Sequence, residues 1–202
     1  MKRILLFVAL TICCATTIYA QQNAKAKEIL DKAATTVKQS GGISAVFSGT
    51  QNGKIQLKGE KFHLVSSGIE SWFDGKTQWS YVEENEEVNI SNPDPEDLQN
   101  INPYSLLSFY EKGYHYRYGG TKTRKGISGY EIVLTPQIPG NIQVLTLFIS
   151  KAYLPLYLKI ESKNQEPQEI SIESYQLHQS FTDDYFKFDA KKYPHAEIID
   201  LR

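Results

Sequence analysis

Ala26, Ile29, Leu30, Ala33 and Val37 recur at helical spacing between residues 24 and 39, with lysines and Asp31 between them. This predicts an amphipathic first helix, and Gly41-Gly42 supplies the residue type that best tolerates a left-handed cap at its end. From Ile43 the period changes to short apolar runs broken by turns, at 43–51, 54–58, 61–66, 69–73, 77–82 and 87–91, which predicts a meander of strands. Asn52-Gly53 and Asp74-Gly75 are expected to form the tight, positive-φ hairpin turns of that meander.

A break follows. Asp94 and Asn102 are good N-caps, Pro95 and Pro103 stand at the next position, and Leu106, Leu107 and Tyr110 extend one helical face before Gly113, so two short helices are expected here. Alternating runs resume at 114–118, 129–135, 142–150, 154–162 and 168–178, followed by a short 186–188 element and a tail at 196–201. The pattern thus predicts about eleven antiparallel strands with no crossover-length connection. No repeat or low-complexity linker divides residues 21–202, which are read as a single domain. The fold class is α+β, with a few helices gathered on one face of a curved sheet.

The first 20 of the 202 residues break this picture. Lys2 and Arg3, the apolar run from Ile4 to Cys14, and Ile18-Tyr19-Ala20 have the order of an export leader cleaved after Ala20. The run is too short to span a bilayer, so a soluble periplasmic protein is expected, with an acylated cysteine as the weaker alternative. Both cysteines, Cys13 and Cys14, fall in the leader, which leaves no disulfide and no thiolate ligand in the mature chain. The leader also carries off two cations from a chain of net charge −1. A slightly acidic protein without a basic face is not expected to bind nucleic acid.

Sites with recognisable chemistry are sparse. His63, His115, His178 and His195 lack ligand-like spacing, so no metal and no cofactor is expected. There is no nucleophile elbow, phosphate loop or catalytic cysteine. The acidic run Glu83, Glu84, Glu86, Glu87 and the basic run Lys122, Arg124, Lys125 are read as solvated hairpin tips. What the sequence has in excess is apolar surface. Tyr114, Tyr116 and Tyr118 share one strand face, Leu154, Leu156, Leu158 and Ile160 another, and 144–149 is apolar on both faces. Periodicity alone leaves two readings open, an ordinary core or a hydrophobic groove on a curved sheet that few helices can fill.

The stretch Asp74-Gly75-Lys76-Thr77-Gln78-Trp79-Ser80-Tyr81, reached through Gly59 to Phe62, resembles the signature of the LolA-type periplasmic lipoprotein carriers. Ile29-Leu30-Asp31-Lys32, Phe47, Asn102-Pro103, Leu106-Leu107, the run 130–136, Phe186 and Phe188, Pro194 and Ile198-Ile199-Asp200 follow in the family's order. The resemblance implies an unclosed half-barrel of antiparallel strands with helices as a lid over an apolar cavity. It also implies a carrier that takes acylated lipoproteins from an inner-membrane ABC-type transporter and passes them toward an outer-membrane acceptor, unknown here. It implies no catalytic residue, and the carrier is expected to act as a monomer.

Carried over by position, Phe62 and Leu64 are cavity-lining residues, and Leu30, Leu106, Leu107 and Tyr110 belong to the lid. Phe47, Trp72, Trp79 and Phe148 complete the candidate wall. Where family members carry an Arg-Pro that closes the lid, this chain reads Lys58, Gly59, Glu60; Lys58 could act there only as a point donor. The alternative function is a regulatory or structural envelope protein that reuses the fold to bind a protein partner or another apolar ligand.

Overall fold

In the computed structural model, which describes residues 23–94, 110 and 113–202, the predicted helix is α1 (residues 23–39). The leader expected at 1–20 and most of the two expected mid-chain helices, including Leu106 and Leu107, lie outside the described residues. The meander is β1 (Gly42–Gly49), β2 (Gly53–Lys58), β3 (Lys61–Ser66), β4 (Ile69–Phe73), β5 (Gln78–Val82) and β6 (Glu87–Ser91). The second group is β7 (Tyr114–Arg124), β8 (Ile127–Pro136), β9 (Ile142–Ser150), β10 (Pro155–Ser162) and β11 (Gln168–Gln179), and β12 (Glu197–Asp200) ends the chain.

These form one open sheet of 12 strands in the order β12-β6-β5-β4-β3-β2-β1-β11-β10-β9-β8-β7. The two meanders join where β1 pairs with β11. The sheet does not close, and α1 packs on one of its faces, here called the inner face. The half-barrel expectation holds, with corrections at the C-terminus. The tail pairs parallel with β6, Ile198 beside Val88, rather than antiparallel. The expected 186–188 strand is a 3₁₀ turn at Asp183–Phe186 followed by coil; its Phe186 is fully buried.

Two turn expectations came out differently. Asp74 Oδ1 accepts from the Lys76 and Thr77 amides at 3.0 and 2.9 Å, and Gly75 has φ +101°, as an Asp-Gly turn requires. Gly53 instead lies inside β2. It is glycine because a Cβ there would meet the Val65 carbonyl oxygen at 2.3 Å and the Phe47 ring at 2.6 Å.

Directly opposed residues of neighbouring strands share a face, so the register gives complete cross-strand rows. On the inner face one row runs Ile43–Leu57–Phe62–Phe73–Gln78–Ser91, and the next runs Ala45–Ile55–Leu64–Ser71–Ser80–Asn89. Each begins apolar and turns polar around β4 and β5. The outer-face row Ser44–Gln56–His63–Trp72–Trp79–Ile90 does the reverse. The greasy side of the sheet therefore changes face between β3 and β5. Two covers follow from this. α1 buries Ala26, Ile29, Leu30 and Ala33 against the inner face. The C-terminal segment lays Phe181, Tyr185, Phe188 and Tyr193 against the outer one, with His63, Trp72 and Tyr81 beneath.

Candidate ligand-binding face

The inner face holds five of the eight candidate wall residues that are described, Leu30, Phe47, Phe62, Leu64 and Tyr110. Phe62 is fully enclosed and stacks on Phe73 at 5.5 Å between ring centroids. Leu30 of α1 and Phe47 are buried in the same cluster, and Leu64 is half-buried at its edge. Tyr110, the one described residue between 95 and 112, is buried. Its ring meets Tyr116 at 5.7 Å, and its hydroxyl donates to Asp31 of α1. The phenol and Lys27 together hold the Asp31 carboxyl below its usual range, against the opposing effect of burial.

Trp72, Trp79 and Phe148 are not part of this wall. Phe62 pairs with Phe73 across β3 and β4, so Trp72 points the other way and stacks on His63 at 5.2 Å. Trp79 is opposite Trp72. Phe148 stands between the inward-facing Leu147 and Ile149 and pairs with Glu131 and Tyr157 on the outer face. Alternation along a strand is strict, and one residue of phase moves a side chain to the other side of the sheet.

Lys58 is also directed outward. Its ammonium donates to the Phe181 carbonyl at 2.8 Å and to Asp183 at 3.2 Å, while Lys61 reaches the same carboxylate at 3.0 Å. The two cations, Lys61 first, hold the Asp183 carboxyl below its usual range. The residue in the position of the family's lid-closing arginine thus anchors the C-terminal segment.

The inner face continues across the second meander in the row Tyr118–Ile132–Leu147–Leu158–Ile170. Ile132, Leu147 and Leu158 are buried, whereas Ile160, Ile170 and Ile172, on β10 and β11, are only half-buried beside the core. Apolar surface thus extends past the fully enclosed core.

Sequence reasoning missed a cluster at the rim of this face. Tyr130 and Tyr153 stack at 5.9 Å with an interplanar angle of 23°. Lys151 places its ammonium 3.8 Å from the Tyr130 centroid, and Lys32 of α1 lies 5.1 Å from that of Tyr153 and 3.3 Å from its hydroxyl. Lys25 and Lys32 share Glu28, at 2.8 and 2.7 Å. The hydrogen bonds from these two lysines hold the Glu28 carboxyl at about 2. The only available signal was two tyrosines near lysines in the chain, which without the fold is not a pattern. Among the described residues no three His, Cys, Asp or Glu side chains gather in a way that would hold a metal ion. No described helix is long and apolar enough to cross a membrane.

Residues 16–173 match the family described as outer membrane lipoprotein carrier protein LolA. None of the curated proteins matches the chain. Among solved structures, an uncharacterized conserved protein from Thermus thermophilus superposes with a TM-score of 0.65 at 15% identity, over 87% of this chain and 99% of that one. A LolA superfamily protein from Nitrosomonas europaea superposes with a TM-score of 0.41 at 11% identity, over 81% of this chain and 97% of that one.

Proposed function

The chain belongs to the family of the outer membrane lipoprotein carrier protein LolA, and from that premise we propose that it carries acylated lipoproteins across the periplasm. In this reading residues 1–20 are an export leader cleaved after Ala20, and residues 21–202 form one carrier domain. An inner-membrane ABC-type transporter loads it, and it gives up its cargo toward the outer membrane. Its work is binding and release, with no covalent step. Leu64, Ile160, Ile170 and Ile172 receive the acyl chains, and Phe62 and Phe47 form the firm floor beneath α1, whose Leu30 packs in the same cluster.

The observation that supports this most is apolar inner surface in excess of what the fully enclosed core uses, with Ile160, Ile170 and Ile172 half-buried along its margin. Burying one CH₂ is worth about 0.8 kcal/mol, so a lipoprotein with two or three long chains faces a cost of tens of kcal/mol in water. An apolar face with few hydrogen-bonding demands lowers that cost for any cargo that shares only its acyl end.

Mass spectrometry of the protein purified from its native envelope tests the reading. A co-purifying acylated peptide is expected, and an apolar dye bound to the protein should be displaced by synthetic acylated peptide. A stable stoichiometric protein complex, with no lipid and no dye binding, would replace the carrier with a partner-binding regulator.

A further inference from the structure

We propose that the rim between α1 and the β9–β10 turn is a subsite for the anionic head group, phosphate or carboxylate, of an amphiphile whose chain lies on the inner face. This rests on the inner face being an acyl-chain seat and adds the chemistry of the ligand's polar end.

Charge is the first support. Lys32 and Lys151 lie against the stacked Tyr153 and Tyr130, Lys25 joins them through Glu28, which it shares with Lys32, and among the described residues Glu28 is the carboxylate that pairs with these lysines. Among the described residues no carboxylate reaches Lys151 within ion-pair distance, and its ammonium lies over the Tyr130 ring instead. With Glu28 ionised, three lysines and one carboxylate leave the group an excess of two positive charges. Ammonium groups resting on aromatic faces are partly desolvated and still present N–H donors to an anion.

Backbone conformation is the second support, and it is independent of charge. Tyr153 has φ +61°, a left-handed conformation that glycine or asparagine adopts readily and a bulky aromatic does not. The turn is closed around it, with the Tyr153 amide donating to the Ser150 carbonyl at 3.0 Å and the Leu154 amide to the Ser150 hydroxyl at 3.1 Å. Five other non-glycine residues of the described chain have positive φ, and none of those is a tyrosine, phenylalanine or tryptophan. The strained residue supplies the ring that stacks on Tyr130 and receives Lys32, and strain of this kind marks places where a side chain is needed.

Position is the third support. Tyr130 pairs with Ile149 one step along β8 from the row Tyr118–Ile132–Leu147–Leu158–Ile170. From β8 to β11 is three strand spacings, about 14 Å, within the reach of a long acyl chain. A head group held at the lysines therefore lets its chain run toward the half-buried Ile160 and Ile170.

The test uses calorimetry on the mature protein with monomeric dihexanoyl phosphatidylglycerol, with dihexanoylglycerol, which has the same chains and no phosphate, and with inorganic phosphate. The anionic lipid should bind at least about fivefold more tightly than the uncharged one, as one charge-assisted hydrogen bond would give, and the preference should shrink as salt rises. Lys151→Gln should remove most of the preference while leaving dihexanoylglycerol binding and Tm unchanged. Tyr153→Gly should keep or raise Tm by relieving the turn and still lose the preference. Equal binding of the two lipids would overturn the subsite and leave the carrier reading standing, whereas binding of neither would overturn both. Inorganic phosphate that competes at the concentration of the lipid would mean a free-anion site. Binding to anionic vesicles without binding to monomeric lipid would mean membrane docking. Either result overturns the proposal.

Discussion

Phe62 and Phe73 face each other across β3 and β4 with ring centroids 5.5 Å apart, and theirs is the last apolar pair in its inner-face row. The next partners, Gln78 and Ser91, are polar, and in the neighbouring row Ser71 and Ser80 share a hydroxyl hydrogen bond of 2.9 Å. The stacked phenylalanines therefore mark where the apolar inner face stops.

Phe62 is fully enclosed and Leu64 is half-buried, so they should respond differently to substitution. Phe62→Ala should cost about 3–5 kcal/mol in urea unfolding, whereas Leu64→Glu should fold and lose binding of an apolar dye. A Phe62→Ala protein with an unchanged midpoint would mean that Phe62 is not core.

Both tryptophans of the chain, Trp72 and Trp79, lie on the outer face, with Trp72 against Phe188 and Tyr193. A brominated acyl chain bound on the inner face should therefore leave tryptophan emission unquenched while it displaces an apolar dye. Strong quenching would put the ligand on the other side of the sheet.

Phe186, fully buried beside Phe181 and Tyr185, pins the C-terminal segment to the outer face. Phe186→Ala should destabilise by about 3 kcal/mol or more, shift tryptophan emission to the red and speed hydrogen exchange in residues 181–200. If the loss of stability came with unaltered emission and exchange there, the segment would not be what covers Trp72.

Stability should fall as pH drops below about 6.5. Burial between Trp72 and Tyr185 disfavours the charged imidazole of His63 and outweighs the pull of Glu70, 2.7 Å away, so its pKa lies below the usual value. With its amide oriented to place nitrogen toward His63, Gln56 lies 3.3 Å from Nδ1, as a donor to a neutral ring. The unfolded chain then takes up a proton near pH 6.5 before the folded one does, so stability is complete above that value and declines as pH falls through the folded pKa. The carboxyls that are held low, Glu28, Asp31, Glu173, Asp183 and Asp200, lie below their own ordinary values and so titrate well under pH 6.5. Denaturant midpoints measured from pH 7.5 to 5 should show the slope, and His63→Phe should flatten it.

Much of the fold was legible in the chain. The helix at 23–39, the order of strands and the change of period at Gly42 are local, because a side chain's spacing along its own element determines which residues can share a face. The motif from Asp74 to Tyr81 identified the family for a related reason, since the Asp-Gly turn and the strand after it are made by neighbouring residues. Those properties need no distant partner.

Three features needed the tertiary structure. Trp72, Trp79 and Phe148 are as apolar as Phe62, and only the pairing of Phe62 with Phe73 decides that the tryptophans face outward; strand alternation gives two faces but does not say which is inner. Lys58 could serve a lid or a tail, and the return of residue 181 to the outer face decided for the tail. The site formed by Lys32, Lys151, Tyr130 and Tyr153 draws on α1, β8 and the β9–β10 turn. Lys32 and Tyr153 stand 121 positions apart and leave no periodic trace of their contact, and only the folding of the sheet beneath α1 brings these charges and rings together.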